Sequence, residues 1–365
     1  MPINTLNNKI KALVVDDSAF MRKSISILLE SDPDIQVIGT AKDGLEGYNL
    51  IKSLRPDIVT LDIEMPKMDG LTALAKIMKD CPTPVLMVSS LTTEGAETTI
   101  KALELGAVDF IPKELSFVNV NIIKIKEELI AKIKEIVKHN AIHNRLNRIH
   151  KLNLQTVPEK VVAVPRGELP HTTYKAIALG ISTGGPFSLQ KIIPLLSKKI
   201  NCPIFIVQHM PPKFTKSLAE RLNGLSELEV KEAEDSELVR PGTVYIAPGG
   251  LHMTINNSSF GRTSIVISKE PSSTLHCPSV DVMINSVIDV YGKYTLGVIM
   301  TGMGKDGFEG IKRLKSLGGN CIAQDEQSCV VFGMPKAIVD GGLSDVIAPL
   351  EKIPEIINKA LLYEK

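Results

Sequence analysis

Short apolar runs alternate with amphipathic stretches from the start of the chain. KALVV (11–15), IQVIG (35–39), DIVTL (57–61), PVLMV (84–88) and VDFI (108–111) are too short for helices and rich in Val and Ile, which predicts strands. The stretches 19–30, 44–54, 70–79, 95–105 and 121–138 carry helical spacing; in the last, Ile122, Ile125, Leu129, Ile133 and Ile136 recur at three- and four-residue steps. Strand–helix alternation predicts a parallel sheet with helices on both faces, a flavodoxin-like (βα)5 unit ending near residue 138.

Residues 139–172 break this rhythm. Their apolar residues are scattered, they hold prolines and an excess of basic side chains, and they are too long for an ordinary loop. They read as an interdomain linker, helical at its start, with a short strand near Lys160–Val164 as the alternative. The pattern resumes with a strand at 175–181, a helix at 186–197 and a strand at 202–207. Residues 228–268 look β-rich and hairpin-like, because LEVKEA, TVYIA, HMTIN and TSIVIS are separated by Pro-Gly, Gly-Gly and Asn-Asn turn signals. Helix 279–291, strand 294–300, helix 306–317, strand 320–324 and a terminal helix from 350 complete the chain. The expected class is α/β in two domains: 1–138, and a doubly wound parallel sheet with a β-hairpin insertion over 173–365.

Composition narrows the setting. The 365 residues allow two or three domains, and 42 Lys+Arg against 41 Asp+Glu give no global electrostatic case for nucleic acid or an anionic membrane. The five cysteines, at 81, 202, 277, 321 and 329, form no Cys-x-x-Cys pair. That argues against a disulfide framework or zinc site and for a reducing compartment. The first residues lack an apolar signal core, and no apolar run approaches the roughly 18 residues of a membrane span. A soluble cytoplasmic protein without membrane insertion is expected, and nothing demands an obligate oligomer, so a monomer is expected too.

Candidate chemistry gathers where parallel strands end. In the first domain Asp16 and Asp17 follow the first strand, Asp62 ends the third, Ser89 and Ser90 follow the fourth and Lys113 follows the fifth. Three converging carboxylates repel unless a hard cation neutralises them, and oxygen-only ligands suit Mg²⁺. Serine hydroxyls and an ammonium nearby can hold an anionic group, which makes Asp62 a phosphoryl acceptor. The plainer alternative is that such residues cap helices, Asp17 ahead of SAFMRKSISILL above all.

In the second domain, strand 175–181 runs into Gly180-Ile181-Ser182-Thr183-Gly184-Gly185-Pro186. A serine between glycines at a strand-to-helix turn is presented on a sharp bend. The plainer alternative is a glycine-rich turn with a capping serine; no Gly-Lys-Ser/Thr supports a Walker-type loop. A serine nucleophile needs a base and an orienting acid. His209 ends the strand CPIFIVQH and Asp306 follows TLGVIM, both at the edge that delivers Ser182. His252 and His276 are fallback bases; Asp281, inside the SVDVMINS helix, and Asp325 are competing acids. The order Ser, His, Asp differs from that of α/β-hydrolases, so that fold is not implied.

ALVVDDSAFMRKSI, TLDIEMPKMDGLTAL, MVSSLT and GAVDFIPK together resemble a response-regulator receiver domain across residues 10–138. The resemblance implies phosphorylation at Asp62, with Mg²⁺ held by Asp17, Asp62 and the main chain of Glu64, and by Asp16 through water. It implies that Ser89 and Lys113 contact the phosphoryl group and that Phe110 is the switch aromatic. The family usually has a cis Lys-Pro where this chain has Lys113-Glu114, and a non-proline cis bond costs about 3 kcal/mol. GISTGGP, QHMP, YIAPGGLHM, HCPSVDV, TGMGKDG and AQDEQSCVVFGMP resemble the catalytic domain of the chemotaxis protein-glutamate methylesterases, the CheB family.

That second resemblance implies a triad of Ser182, His209 and Asp306 and an oxyanion site from the main chain at Thr183 and Met303. It implies hydrolysis of glutamyl methyl esters on methyl-accepting chemotaxis receptors without a cofactor for the esterase step, and in many members deamidation of receptor glutamines. It also implies a CheA-type histidine kinase as phosphodonor, and an unphosphorylated receiver that blocks the catalytic cleft. Two other classes stand beside it. A phosphorylation-dependent binding module without catalysis is opposed by all three triad candidates being present. A transcriptional regulator is opposed by the lack of a basic recognition helix.

Overall fold

The computed structural model describes residues 9–113, 126–139, 165–170, 172–257 and 262–362, and the chain divides into two units, Met1–Asn147 and Arg148–Lys365. In the first, β1 (Ile10–Val15), β2 (Ile35–Ala41), β3 (Ile58–Asp62), β4 (Val85–Ser89) and β5 (Asp109–Pro112) form a parallel sheet in the order β2-β1-β3-β4-β5. Every residue of β3 and β4 is buried, as central parallel strands covered on both faces must be. Helices α1 (Ala19–Glu30), α2 (Gly44–Leu54), α3 (Gly70–Asp80) and α4 (Thr93–Glu104) each start behind a side-chain cap. Ser18, Asp43, Asp69 and Thr92 accept the N–H groups of Met21, Glu46, Thr72 and Gly95. The Thr92 cap explains why α4 begins two residues before its apolar spacing does.

A fifth helix, α5, covers 126–139, with Leu129, Ile133 and Ile136 buried. The start of the expected helix, with Ile122 and Ile125, lies outside the described residues. So do most of the expected linker, its alternative strand at Lys160–Val164, and the Lys113-Glu114 bond.

The second unit is built on seven strands: β6 (Ala176–Ile181), β7 (Ile204–Gln208), β8 (Glu229–Glu232), β9 (Thr243–Ile246), β12 (Thr295–Ile299), β13 (Asn320–Gln324) and β14 (Val346–Ala348). All pair in parallel, in the order β14-β13-β12-β6-β7-β9-β8. From β6 the chain first builds outward through β7 and then returns to β12 on β6's other side. That reversal is the switch point at which α/β sheets place their sites. The helices are α6 (Gly185–Ile192), α7 (Phe214–Asn223), α8 (Val280–Tyr291), α9 (Phe308–Ser316), α10 (Met334–Asp340) and α11 (Ile353–Leu362). Arg166 exchanges both backbone hydrogen bonds with Ile347 of β14, so the chain has already joined this sheet by residue 166.

The hairpin reading of 228–268 holds for one pair only. β10 (His252–Asn257) and β11 (Thr263–Ser268) are antiparallel and form a separate two-stranded sheet. β8 and β9 instead extend the main sheet in parallel, which requires a returning connection rather than a tight turn. Residues 233–242 supply it: Ser236 and Val239 donate to Ile265 and Thr263 of β11, and Pro241-Gly242 ends the excursion at β9. α6 is shorter than its pattern because Pro194 follows it and the chain tightens into a 3-10 turn over Ile193–Leu195.

Candidate active site

The nucleophile turn is set by β6 and two glycines. Gly184, at φ 76°, adopts the left-handed conformation that lets α6 start directly behind Ser182-Thr183. The Ser182 N–H donates to Thr301 O (3.0 Å), and the Gly185 N–H closes the turn onto Ser182 O (2.8 Å). Thr301, just beyond β12, donates its hydroxyl to Thr183 O (2.9 Å) and accepts the N–H groups of Val330 and Val331 (3.1 Å each). Gly302 must be glycine for this closeness, since a Cβ there would lie 2.8 Å from Ser182 Cβ. Ser182 is half-buried, and its hydroxyl makes no hydrogen bond to another described residue. Neither do the main-chain N–H groups of Thr183 and Met303.

His209 stands beside Ser182 by register. Ile181 of β6 pairs with Gln208 of β7, and the His209 N–H donates to Ile181 O at 3.2 Å. Its Nε2 lies 2.9 Å from Asp306 Oδ2, its Nδ1 is buried without a partner, and the His276 ring stacks on it at 4.3 Å between centroids. Asp306 also sits on the amino end of α8. Its Oδ1 accepts from the Ser279 hydroxyl (3.0 Å) and the Asp281 N–H (3.0 Å), and its Oδ2 accepts from the Val280 N–H (2.8 Å). Burial pushes the Asp306 carboxyl up, but His209 and the α8 amides outweigh it and hold it well below the usual carboxylate range. An ionised Asp306 fixes the proton on Nε2 and leaves the Nδ1 lone pair as the base.

The competitors are engaged elsewhere. Asp281 caps α9, its Oδ1 accepting the Gly310 N–H at 2.7 Å; burial first, with Asp306's charge adding to it, raises its pKa. Asp325 closes a turn onto the N–H and hydroxyl of Ser328. His252 is buried, accepts the Ser279 N–H on Nδ1 (3.1 Å) and so carries its proton on Nε2, toward Thr274 Oγ1 (3.1 Å). Burial lowers its pKa, keeping that neutral tautomer. Sequence reasoning missed Thr301 and Gln208. Their only signal is a polar side chain ending an apolar strand run.

In the first unit, one oxygen from each of Asp16, Asp17 and Asp62 falls within 4.8 Å of the others. Ser18, not Asp17, caps α1, and Asp16 Oδ1 accepts the Ser18 N–H (2.9 Å). Lys113 Nζ lies 2.7 Å from Asp62 Oδ2 and 3.8 Å from Asp16 Oδ2, and the Glu64 N–H donates to Asp62 Oδ1 at 3.3 Å. Burial, with the Asp16 charge beside it, pushes Asp62 up to about 6 against the pull of Lys113. Asp16 Oδ2 is buried and accepts no hydrogen bond, and the donor set is oxygen only, so the cluster fits a hard divalent cation. Ser89 is turned into α4, its Oγ bonded to Thr99 Oγ1 (2.6 Å) and Gly95 O (3.2 Å). Phe110 is buried, with Lys132 Nζ on its carbonyl at 3.2 Å.

Comparison with known proteins places both sites in context. Residues 12–122 match the response regulator receiver domain family and residues 177–357 the CheB methylesterase family. A protein-glutamate methylesterase/protein-glutamine glutaminase of Pyrococcus horikoshii is 47% identical over 361 residues, 99% of this chain and 95% of that protein. One from Oleidesulfovibrio alaskensis is 48% identical, covering 96% of this chain and 99% of its own. The crystal structure of the Thermotoga maritima CheB methylesterase catalytic domain aligns with a TM-score of 0.50 at 47% identity, covering 52% of this chain and 99% of that one.

Proposed function

The chain belongs to the CheB family of protein-glutamate methylesterases, with a response-regulator receiver ahead of the esterase domain, and on that premise we propose a phosphorylation-controlled serine esterase. Its substrates are glutamyl methyl esters, and by the same chemistry glutamine side chains, of methyl-accepting chemotaxis receptors. The observation that carries this reading is the 2.9 Å His209–Asp306 bond at the sheet edge where β6 presents Ser182.

Ser182 Oγ attacks the ester carbonyl while its proton passes to His209 Nδ1. The carbonyl oxygen becomes an oxyanion held by the main-chain N–H groups of Thr183 and Met303. Collapse breaks the C–O bond to the methoxy group, and His209 returns the proton so that methanol leaves. Water then adds to the acyl-enzyme, losing a proton to His209, and glutamate is released as Ser182 Oγ recovers that proton. For a glutaminyl side chain the leaving group is ammonia. Asp306 holds the ring's tautomer and balances its positive charge. No step calls for a cofactor.

In the receiver, Asp16, Asp17, Asp62 and the main chain of Glu64 would hold Mg²⁺, which supplies charge neutralisation for an incoming phosphoryl group. Asp62 takes the phosphoryl from a CheA-type histidine kinase, with Lys113 paired to one of its oxygens. Ser89 then gives up Gly95 O for a phosphoryl oxygen, which alters its tie to α4 and the packing around Phe110. No helix among the described residues is long and apolar enough to cross a membrane. As part of the same proposal, the protein acts in the cytoplasm, where a histidine kinase would meet it, and acts as a monomer. Methanol release from methylated receptor membranes, with and without a small-molecule phosphodonor, tests catalysis and control together. No release in either state overturns the esterase; equal release in both overturns the control.

A further inference from the structure

Gln208, the last residue of β7, is buried behind the nucleophile turn. Its amide nitrogen donates to Ser182 O at 3.0 Å and to His209 O at 3.2 Å. Those two carbonyls settle which end of the amide is the NH₂, because the reverse orientation would set three oxygens against one another. Its Oε1 is buried and meets no donor among the described residues. Gly185 makes the room: a Cβ at that position would lie 1.8 Å from Oε1. A buried oxygen without a donor is a destabilising feature, so stability alone does not account for an amide here.

Ser182 O receives a second donor, the Gly185 N–H. The Ser182 carbonyl and the Thr183 N–H belong to one planar peptide unit and point to opposite sides of it. Two donors on that oxygen therefore fix the plane, and by polarising the unit they strengthen the N–H as a donor. We propose that Gln208 is a positioning residue for the oxyanion site: bridging the Ser182 and His209 carbonyls, its amide holds the Ser182–Thr183 peptide with the Thr183 N–H presented to the reacting carbonyl. The assignment rests on the esterase reading above. It separates two jobs at adjacent positions, since His209 moves the proton while Gln208 serves the developing negative charge.

The test uses the full-length protein and methanol release from methylated receptor membranes. Gln208→Met keeps the length of the side chain and removes both donors. Its kcat is expected to fall about 10- to 100-fold, less than outright loss of an oxyanion donor costs, with KM within about threefold of wild type. The pH–rate profile keeps its shape and position. The melting temperature changes little, because losing the orphaned Oε1 offsets the donor lost by the His209 carbonyl, while Ser182 O keeps the Gly185 N–H. Gly185→Ala, which forces the Gln208 amide off both carbonyls, reproduces the kcat loss with the glutamine still present. Wild-type kcat in Gln208→Met beside an active wild type overturns the proposal alone, as does a displaced pH–rate profile or a loss confined to KM. A wild-type protein that releases no methanol overturns the esterase reading and this proposal with it.

Discussion

Replacing Asp306 by Asn tests the acid with almost no change of shape. The carboxylate accepts four donors on two oxygens: the Ser279 hydroxyl and Asp281 N–H on Oδ1, the Val280 N–H and His209 Nε2 on Oδ2. An amide turns one of those oxygens into a donor. With NH₂ on the Oδ2 side it must donate to Nε2, which drives the ring's proton to Nδ1 and removes the base. With NH₂ on the Oδ1 side the tautomer survives, but the negative charge beside the developing imidazolium is gone. Either orientation sets an amide N–H against a helix N–H, worth about 1–3 kcal/mol of stability. An Asp-to-Asn change that misplaces the tautomer costs a serine triad on the order of 10⁴ in kcat. The expected fall here is about 10³- to 10⁴-fold, or roughly 4–5.5 kcal/mol of barrier. Methanol release measured well below the melting temperature of both proteins checks it. A loss below about tenfold in a folded variant would refute the assignment of Asp306 as the orienting acid. Stability supplies a second reading. Because the Asp306 pKa is depressed in the folded state, its ionisation stabilises the protein above the unfolded carboxylate value and that contribution fades as pH falls below it. The stability gap between wild type and Asp306→Asn should therefore narrow below about pH 4.

Three further outcomes are expected. Ser182→Ala abolishes methanol release while phosphate incorporation at Asp62 from a radiolabelled phosphodonor is unchanged; substantial retained esterase activity would remove Ser182 from the nucleophile's role. Deleting residues 1–138 raises basal esterase activity above that of the intact, unphosphorylated protein, and a folded truncation with no gain would count against restraint by the receiver. Gly302→Ala places a methyl 2.8 Å from Ser182 Cβ and 2.4 Å from Met334 Sδ. Met334 is itself buried in the core and the nucleophile turn is tied to Thr301, so neither yields freely, and kcat drops about 10- to 100-fold with about 1–3 kcal/mol of destabilisation in urea unfolding.

The strands of the first unit and the main strands of the second were legible because buried parallel strands read as short apolar runs rich in Val and Ile; the order of the strands within each sheet leaves no such local mark. So was the edge that collects Ser182, His209 and Asp306, since strand ends follow from strand positions. Other elements were not. β14 has three residues and α10 seven, too few to show a period. α7 announces itself mainly through Phe214, Leu218 and Leu222, behind a Pro-Pro pair that reads as loop. The Pro241-Gly242 signal suggested a hairpin because local turn chemistry does not reveal that the preceding loop is leaning on β11. Gln208 and Thr301 stayed hidden for a related reason: their roles lie in main-chain carbonyls of distant segments, and carbonyls leave no mark in a sequence. The receiver's acidic cluster was readable as carboxylates, yet the inward turn of Ser89 depended on Thr99, a helix residue that spacing alone files as packing.

The strand order β12-β6-β7 sets the nucleophile's strand between those of the acid and the base. Neighbouring strands lie about 4.8 Å apart, so the acid's segment has to arch over the end of β6 to reach the imidazole. Residues 300–307 are that arch, leaning on Ser182 through Gly302 and ending at the amino end of α8. Its length is thus a dimension of the reaction centre. Shortening it by a residue or two would strand the imidazole without its counter-charge while leaving the serine turn, which is tied to Thr301, nearly as it was. Natural or engineered variants trimmed in this arch would keep a serine in place but lack a base held in register. The same short segment therefore joins two otherwise separate requirements, the shape of the turn and the charge behind the ring.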